Sequence, residues 1–471
     1  MNVFFRSKLR KLPGAALCQL RSAIGCQTER TLLLSTILLL FAVSWATGFV
    51  LARYYSVDVL SNLGTLPKDC WEDWGMRIGT HCFSDYPVVG KLAARPNPWE
   101  MYWIGVVPSR IQYSAAGMVP YLFFWNLGNW LGAPQLVLVI VVMLLAVAVM
   151  VPAIWAARGA RGTERVVVFL ACGVLAFPVW MVIDRGNSVG LVTPLALIFL
   201  VALSRRRWGL VAIVVVLAAL VKPQFAALAV ALLGARQWRL SAATIIGVVS
   251  TNLGAYLLWP RDFPATIGQS FDNLVHYTTT VSVWAESNVS FANGVILPLR
   301  KVIRAAVGRD GISDASFDSA GGLVGYGILV AVVASVVILG RRIDPVMAGI
   351  VLLATASLFP AATNGYYLVF VLAVAALVVR DPDGPPQSGI FDRLAAFGDR
   401  RRTVGICVSL AVAVSIVQIA LPFPPPRQVT NIDGSAMFVH NTLLLTPLAW
   451  LIACTAIIVS YARKSARLTS E

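Results

Sequence analysis

Residues 166–203 read VVVFLACGVLAFPVWMVI-DRGN-SVGLVTPLALIFLVAL, and this stretch decides the fold class. Two apolar runs, Val166 to Ile183 and Ser188 to Leu203, flank the short polar turn Asp184-Arg185-Gly186-Asn187. Each run is close to the length of roughly 17–25 residues with which a helix crosses a bilayer. A helical hairpin needs only Gly-Asn for such a turn. The added acid and base are costly in hydrocarbon and therefore indicate that the turn binds something charged.

The composition of the whole chain agrees with this stretch. The 471 residues are 58% hydrophobic, and only 13% are charged, about half the share found in soluble domains. Mean hydropathy is +0.77. Such a composition excludes a single soluble core and predicts a polytopic membrane protein. Because the apolar runs are continuous and do not alternate, the predicted fold class is all-α, with helices that satisfy their own backbone polar groups in lipid.

The net charge of +16 has a membrane explanation. In a soluble protein it would suggest a nucleic-acid partner, but here most basic residues stand in short turns between apolar runs, as the positive-inside rule describes. We therefore predict the lipid bilayer, and no nucleic acid, as a partner. The basic turns expected on the cytoplasmic side are Arg158/Arg161/Arg165, Arg205-Arg206-Arg207, Arg236/Arg239, Arg341-Arg342 and Arg400-Arg401-Arg402.

The charge pattern divides the chain into four regions and predicts about 11–13 spans in the plasma membrane, with the N-terminus inside. The regions are a cytoplasmic basic tail (1–30), a transmembrane region (31–380) with outer loops at 53–112 and 260–321, a cytoplasmic linker (381–402) and a trailing helical pair (403–471). The first span is expected from Thr31 to Ala52, because the run is too long for a cleaved signal peptide.

Two stretches fit this topology poorly. Residues 113–131 are apolar enough to cross, yet counting them as a span breaks the parity of the basic turns. Residues 208–235 provide only about 13 residues for each of two crossings, which is short of a full span. We therefore expect either that residues 113–131 are re-entrant or that one basic turn is misplaced. For residues 208–235 we expect broken or half-crossing helices beside a cavity.

The first outer loop combines acids with aromatic side chains. Its acids are Asp58, Asp69, Glu72, Asp73 and Asp85, and its aromatic residues include Trp74, Tyr86, Trp99 and Trp103. Aromatic rings stack on the apolar faces of sugars and carboxylates accept sugar hydroxyl hydrogens, so the loop is typical of a sugar site. The competing interpretation is a plain interfacial loop, in which acids face water and aromatics favour the membrane boundary.

Cations and amides expected on the same outer side complete the candidate site. Arg185 has the planar fork that binds phosphate oxygens in pairs. Lys222 follows the apolar run 208–221 and precedes Pro223, so it is either a phosphate contact or a lysine that snorkels to the surface. Asn288 and Ser290 lie in the second outer loop, whose basic residues also suit an interfacial helix.

Cysteine and histidine predict little chemistry. Cys70 and Cys82 share the first outer loop, where a disulfide and two free thiols are equally expected if the loop is extracytoplasmic. The three histidines, His81, His276 and His440, are far apart in sequence, so we predict no shared metal site.

Taken together, the outer turn with Asn187, the span that ends Ala219-Leu220-Val221-Lys222-Pro223, and Asn288-Val289-Ser290 with Gly294 resemble the family 87 glycosyltransferases. The resemblance covers about residues 31–380. The family's usual Gly-Gln-x-Asn turn is replaced here by Asp-Arg-Gly-Asn, and its Tyr-Pro-Pro by Tyr113-Ser114-Ala115. The resemblance implies a bundle of the GT-C type that takes a polyprenyl-phosphate sugar as donor.

The resemblance also implies an inverting transfer of mannose or arabinofuranose to a cell-envelope glycolipid or polysaccharide on the extracytoplasmic side. A first-loop Asp acts as general base in such a reaction. Asp85 fits the family's Asp-aromatic pattern best, with Asp58 and Asp73 as alternatives. Arg185 and Lys222 are then candidates for the donor phosphate, and the candidates for sugar or phosphate contacts are Asn187, Asn288, Ser290, Tyr86 and Trp74. Some GT-C enzymes use a divalent metal ion, which the sequence leaves open.

Two other functions compete with this one. A transporter or flippase of lipid-linked sugars also needs interfacial charges and many spans, but it has no need of a 60-residue acidic and aromatic loop. A non-catalytic membrane scaffold leaves the charges in the apolar region unexplained.

Overall fold

The computed structural model describes most of the chain. The described residues are 27–55, 83, 85–104, 107–280, 288–296, 299, 314–398, 401–421, 429–430, 436–437 and 440–468. Within them the protein is almost entirely helical, which confirms the predicted all-α class.

Helices therefore account for nearly all of the described elements. They are α1 (Glu29–Tyr55), α2 (Asp85–Ala93), α3 (Ala115–Trp130), α4 (Pro134–Ala157), α5 (Gly162–Phe169), α6 (Phe177–Arg185), α7 (Val192–Ser204), α8 (Trp208–Val221), α9 (Val230–Gly234), α10 (Trp238–Gly254), α11 (Ala265–Thr280), α12 (Asp314–Leu339), α13 (Pro345–Leu358), α14 (Phe370–Val379), α15 (Ile390–Ala396), α16 (Arg402–Ile416) and α17 (Leu445–Leu468).

Short 3-10 segments and three two-stranded antiparallel ribbons connect these helices. The 3-10 segments are Ser188–Leu191, Pro223–Ala229, Ala255–Leu258, Pro260–Asp262, Gly340–Arg342, Gly365–Val369 and Thr442–Leu444. The ribbons pair β1 (Tyr102–Ile104) with β2 (Val107–Ser109), β3 (Ala420–Leu421) with β6 (His440–Asn441), and β4 (Val429–Thr430) with β5 (Ala436–Met437).

Five helical stretches in the described residues are long and apolar enough to cross a membrane. They are Glu29–Val50, Pro134–Ala157, Trp238–Leu258, Gly321–Arg342 and Thr442–Arg463. Large apolar side chains on these helices are exposed, for example Trp45 at 69% and Ile338 at 77%, as expected of faces that contact lipid. The coarse prediction of a helical membrane protein is thus supported.

The first apolar run of the decisive stretch is bent and does not form one straight span. Helix α5 passes into a π turn at Leu170–Val174, and α6 starts at Phe177 after a break, with a bend of 45° between the two halves. Pro178 stands in the first turn of α6, where its missing N–H costs nothing, so a new helix begins there. The apolar run from Val166 to Ile183 is therefore a bent pair of helices.

The polar turn after α6 follows from its Gly and Asn. Gly186 takes the left-handed conformation (φ +61°), the amide of Gly186 donates to the Ile183 carbonyl at 3.1 Å and the amide of Asn187 donates to the Val182 carbonyl at 3.2 Å. This pair of bonds is the Schellman ending of a helix. Asn187 then caps the next segment, because its Oδ1 accepts from the Val189 amide at 2.9 Å.

The stretch 208–235 forms two short helical segments, as its length predicted. Helix α8 has 14 residues and ends at Lys222, whose backbone is extended (φ −145°, ψ 113°), and Pro223 starts the next segment. The residue before a proline is disfavoured in helical conformation, so the helix stops there. Lys222 consequently lies at a break between two apolar segments.

The described part of the first outer loop is folded onto the bundle. Trp99 is 2% exposed, its ring stacks on Tyr256 with 5.1 Å between centroids, and its Nε1 donates to the Tyr113 carbonyl at 3.1 Å. Asn97 donates to Asp262 at 2.8 Å and to Gln269 at 2.9 Å. Trp99, which the sequence offered as a sugar-stacking residue, is thus a packing residue that joins this loop to the segment after α10.

The trailing helices pack against the rest of the bundle. Helix α16 lies on α1 and α14, and the Arg402 guanidinium pairs with the Glu29 carboxylate at 2.8 Å. The linker before it contains α15 and is fastened by ion pairs, Arg205 with Asp383 at 2.8 Å and Arg393 with Asp381 at 3.4 Å.

Candidate functional site

A carboxylate from the first outer loop meets the amide of the decisive turn. The Nδ2 of Asn187 donates to the Oδ2 of Asp85 at 2.5 Å. The two residues are 102 positions apart in sequence. Asp85 stands in the first turn of α2 and is half-buried, whereas Asn187 is fully buried. The turn thus fixes one oxygen of a carboxylate that the sequence singled out as a candidate base.

The orientation of the Asn187 amide is determined by its partners. Its Nδ2 uses both hydrogens, the second donated to the Tyr113 hydroxyl at 2.9 Å, and its Oδ1 caps the next segment. Exchanging the two amide atoms would place an oxygen against a carboxylate and a nitrogen against an N–H donor, which removes both bonds. The amide is therefore fully occupied, and it holds Asp85 and Tyr113 together.

Lys222 reaches the same cluster through the Tyr113 ring. Its Nζ lies 3.7 Å from the ring centroid of Tyr113 and 5.8 Å from that of Tyr367. A cation over an aromatic face at these distances is attracted by the ring quadrupole. The Lys222 side chain is 8% exposed and interacts electrostatically with Asp85. The snorkelling interpretation does not fit a lysine whose ammonium is buried on a tyrosine.

Tyr121 supports the cluster from α3. Its hydroxyl accepts from the Ser188 amide at 2.6 Å, and its ring meets the Tyr113 ring edge-on with 5.5 Å between centroids. The Ser188 amide lies in the first turn of the helical segment that follows Asn187. In a first turn the N–H groups have no backbone carbonyl of the same segment as a partner. Tyr121 therefore fixes the same turn from a second side.

Burial keeps the tyrosine hydroxyls of the cluster protonated. Burial, together with the negative charge of Asp85 nearby, raises the pKa of Tyr113 well above its usual value. Burial also raises the pKa of Tyr102 to about 12, although Arg95 opposes the shift. Both phenols are neutral at physiological pH, and the Tyr113 hydroxyl is hydrogen-bonded with that of Tyr121.

Asn288 and Ser290 lie behind this cluster and contact backbone. Asn288 donates to the Ala361 carbonyl at 2.8 Å, and its Oδ1 accepts from the Thr363 and Ser290 amides at 3.0 Å each. Ser290 is fully buried, and its hydroxyl accepts from the Asn293 amide at 3.1 Å.

These contacts hold the segment that carries two aromatic residues to the cluster. The segment 361–367 begins at the residues that Asn288 contacts. It places Tyr366 within electrostatic range of Tyr113, and it places the Tyr367 ring near the Lys222 ammonium. The observed role of Asn288 is to position this segment, whereas the Ser290 hydroxyl accepts from the Asn293 amide within its own segment. Their predicted contact with a sugar or phosphate stays a prediction.

Two further predicted residues are Arg185, in the turn itself, and Tyr86, beside it. Arg185 is the last residue of α6 and is 9% exposed. Tyr86 is 1% exposed, and its Cβ lies 3.3 Å from the place where a Cβ on Gly186 would stand. The Tyr86 side chain packs under the turn, so the structure gives it a contact with protein, whereas its predicted contact with a sugar stays a prediction.

Several predicted residues fall outside the described part of the chain. They are the alternative bases Asp58 and Asp73, the aromatic residue Trp74, the cysteines Cys70 and Cys82, and the side chains of the three histidines. Within the described residues no group of three or more His, Cys, Asp or Glu side chains could hold a metal ion. The candidate site that can be described thus consists of Asp85, Asn187, Lys222 and their tyrosines.

Sequence reasoning missed the tyrosines that join the predicted residues. Tyr113 entered only as a departure from a family motif, and Tyr121 and Tyr366 did not enter at all. A usable signal was present for Tyr113 and Tyr366, because each stands at the start of an apolar helical segment, where a tyrosine needs a partner for its hydroxyl.

Comparison of the sequence with models of known protein families gives no match, and comparison with curated proteins gives none either.

Proposed function

We propose that this protein is a membrane glycosyltransferase that transfers a sugar, mannose or arabinofuranose, from a polyprenyl-phosphate donor to a cell-envelope glycolipid or polysaccharide. The observation that carries the proposal is that Asp85 and Lys222 both meet Tyr113, Asp85 through the Asn187 amide and Lys222 over the ring. A general base and a cation for a departing phosphate are the two charges that such a transfer requires.

In the proposed reaction, Asp85 takes a proton from the acceptor hydroxyl. Asn187 holds Oδ2, and among the described residues Oδ1 makes no hydrogen bond, so Oδ1 is the oxygen that accepts the proton. The acceptor oxygen attacks the anomeric carbon, the bond from that carbon to the phosphate oxygen breaks with inversion, and polyprenyl phosphate leaves with its added negative charge. The ammonium of Lys222 stabilises that charge, and Arg185 is the further candidate for the phosphate.

The architecture that belongs to this proposal is a GT-C-type bundle of 11–13 spans in the plasma membrane. Support comes from the described apolar segments, which comprise the five full-length stretches, the bent pair and six shorter helices of 10–17 residues. The N-terminus and the basic turns are cytoplasmic in this proposal, and Asp85, Asn187 and Lys222 are extracytoplasmic. The ends of α7 and α8 agree with it, because each helix has its arginines at one end and Asn187 or Lys222 at the other.

The test is a transfer assay with purified protein in phosphatidylcholine nanodiscs. Radiolabelled polyprenyl-phosphate mannose and polyprenyl-phosphate arabinofuranose are supplied separately, with lipid and polysaccharide extracts from cells that lack the protein as acceptors. We expect Asp85→Asn to lower the rate by about 10²-fold or more. Glu100→Gln is the matched control, since Glu100 is an exposed acid of the same loop, and we expect it to keep the wild-type rate.

Lys222 is tested in the same assay with two variants. Lys222→Met keeps the apolar stem and removes the charge, whereas Lys222→Arg keeps the charge, so the first is expected to lose far more activity than the second. Full activity of Asp85→Asn would refute Asp85 as the base. Movement of the labelled lipid across the bilayer of sealed phosphatidylcholine proteoliposomes, without a new glycosidic bond, would establish a transporter in place of an enzyme.

A further inference from the structure

A cavity lies at the opposite end of α8 from Lys222. Its volume is about 420 Å³, and it lies where the start of α8, the end of α9, the end of α12 and the start of α13 meet. This volume is within the range of about 300–1,000 Å³ that is usual for ligand pockets. Helix α8 has 14 residues and is about 21 Å long, so the cavity is separate from the candidate site.

The cavity has an exposed cationic edge and a buried apolar wall. Arg206 and Arg341 line it and are exposed, and Gln237 adds an amide. Ala231, Val336 and Ala348 also line it and are buried. Within the part of the chain that the structure describes, neither guanidinium makes a hydrogen bond or an ion pair closer than 4 Å. Asp344, the acid whose charge reaches Arg206, is occupied as the cap of α13 and accepts from the Val346 amide at 2.9 Å.

The backbone at Arg206 is strained. Arg206 adopts the left-handed backbone conformation (φ +53°), which residues other than glycine and asparagine rarely take. It stands at the Schellman position after α7, where its amide donates to the Leu203 carbonyl at 3.1 Å and the Arg207 amide donates to the Ala202 carbonyl at 2.8 Å. Glycine would fit this position at lower cost, and yet an arginine stands here with its side chain on the cavity.

We propose that this cavity binds a phosphate group, held between Arg206 and Arg341. Two guanidinium forks at the edge of one cavity match the paired oxygens of a phosphate. The two sources of such a group are the headgroup of an anionic phospholipid and free inorganic phosphate. A basic pocket between helix ends at the level of a basic turn suits the headgroup, with the apolar part of the lipid against the buried alanine and valine side chains.

The test measures binding of dioctanoyl phosphatidic acid to the protein in nonionic detergent by native mass spectrometry. Dioctanoyl phosphatidylcholine is the zwitterionic comparison, and inorganic phosphate is added as a competitor. We expect Arg206→Gly and Arg341→Gln each to raise the apparent Kd for phosphatidic acid by about tenfold or more, as expected when a hydrogen-bonded charge partner is lost. Arg236→Gly is the matched control, because Arg236 has the same left-handed backbone (φ +59°) at the next basic turn but does not line the cavity.

The control separates a built site from general surface charge and from misfolding. Arg206→Gly relieves the backbone strain, so its thermal unfolding temperature is expected not to fall below that of the wild type, and lost binding then reflects the lost guanidinium. Competition by millimolar inorganic phosphate would support the site with a free anion as its ligand, and its failure would support the headgroup. Two outcomes would overturn the proposal. In one, Arg236→Gly weakens the binding of phosphatidic acid as much as Arg206→Gly does. In the other, neither Arg206→Gly nor Arg341→Gln weakens this binding.

Discussion

Replacing Asn187 tests whether one amide joins the first outer loop to the helical hairpin. Asn187→Ser keeps a capping oxygen at the start of the 3-10 segment, since serine is as good an N-cap as asparagine, but it removes the amide that donates to Asp85 and Tyr113. Asn187→Ala removes the cap as well. Ser114→Ala is the control for a cap alone, because the Ser114 hydroxyl accepts from the Gly117 amide at the start of α3.

The magnitudes follow from the bonds that each variant loses. A hydrogen bond to a charged group contributes about 1.5–3 kcal/mol, and a neutral one about 0.5–1.5 kcal/mol. Asp85 is half-buried, so water replaces part of the lost bond, and we expect Asn187→Ser to lower the free energy of unfolding by about 2 kcal/mol. Losing an N-cap costs about 1 kcal/mol, so we expect about 3 kcal/mol for Asn187→Ala and about 1 kcal/mol for Ser114→Ala.

The assay is reversible unfolding in mixed micelles of nonionic detergent and dodecyl sulfate, followed by tryptophan fluorescence. The expected order of stability is wild type, then Ser114→Ala, then Asn187→Ser, then Asn187→Ala. If Asn187→Ser unfolds like the wild type and Asn187→Ala loses only as much as Ser114→Ala, Asn187 is a helix cap and nothing more. The contact between Asp85 and the turn would then contribute nothing to the fold.

Three further predictions use the same unfolding assay. Gly186→Ala should lower the free energy of unfolding more than Gly132→Ala does. Both glycines are left-handed (φ +61° and +60°), but only a Cβ at position 186 would meet backbone and side-chain atoms, the nearest at 3.2 Å. Equal losses of stability would contradict the tight packing of the turn. Trp99→Phe should cost about 1 kcal/mol by removing the bond to the Tyr113 carbonyl, and a neutral effect would show that water replaces it. Burial raises the folded-state pKa of Tyr102 from about 10 to about 12, so the folded protein loses stability as the tyrosine ionises. The free energy of unfolding should therefore fall by up to about 3 kcal/mol as the pH rises from 10 to 12. Tyr102→Phe should reduce this dependence of the free energy of unfolding on pH, and an unchanged dependence would refute the pKa shift.

The features that follow from local chemistry could be predicted from the sequence. Gly186 and Asn187 were sufficient for the hairpin turn because one ends a helix and the other caps the next segment, and both effects act over a few residues. The break at Lys222 was also predictable, since Pro223 and the length of the apolar run exclude a straight span. The bend between α5 and α6 was missed, because hydropathy records how long an apolar run is and says nothing of its direction.

The composition of the candidate site could be predicted only in part. Counting basic turns assigned Asp85, Asn187 and Lys222 to the same side of the membrane. Sharing a side does not determine how far apart these residues are, because the surface is large. The contacts depend on Tyr113, which stands 28 residues after Asp85 and 74 before Asn187 and touches both Asn187 and Lys222. No local pattern marks such a residue, because its role comes from the packing of helices that are distant in sequence.

The short length of α8 determines how far Lys222 lies below the membrane surface, and this depth favours one class of donor. Its 14 residues extend about 21 Å, whereas the hydrocarbon core of a bilayer is about 30 Å thick. In the proposed topology, with Arg207 at the cytoplasmic interface and α8 along the membrane normal, the helix ends roughly 9 Å below the other interface. Lys222, enclosed by Tyr113 and Tyr367, is then within the hydrocarbon depth. A water-soluble sugar nucleotide would have to leave water to reach that ammonium. A polyprenyl phosphate already has its tail in lipid and its phosphate just above, so depth and charge at Lys222 favour a lipid-linked donor over a soluble one.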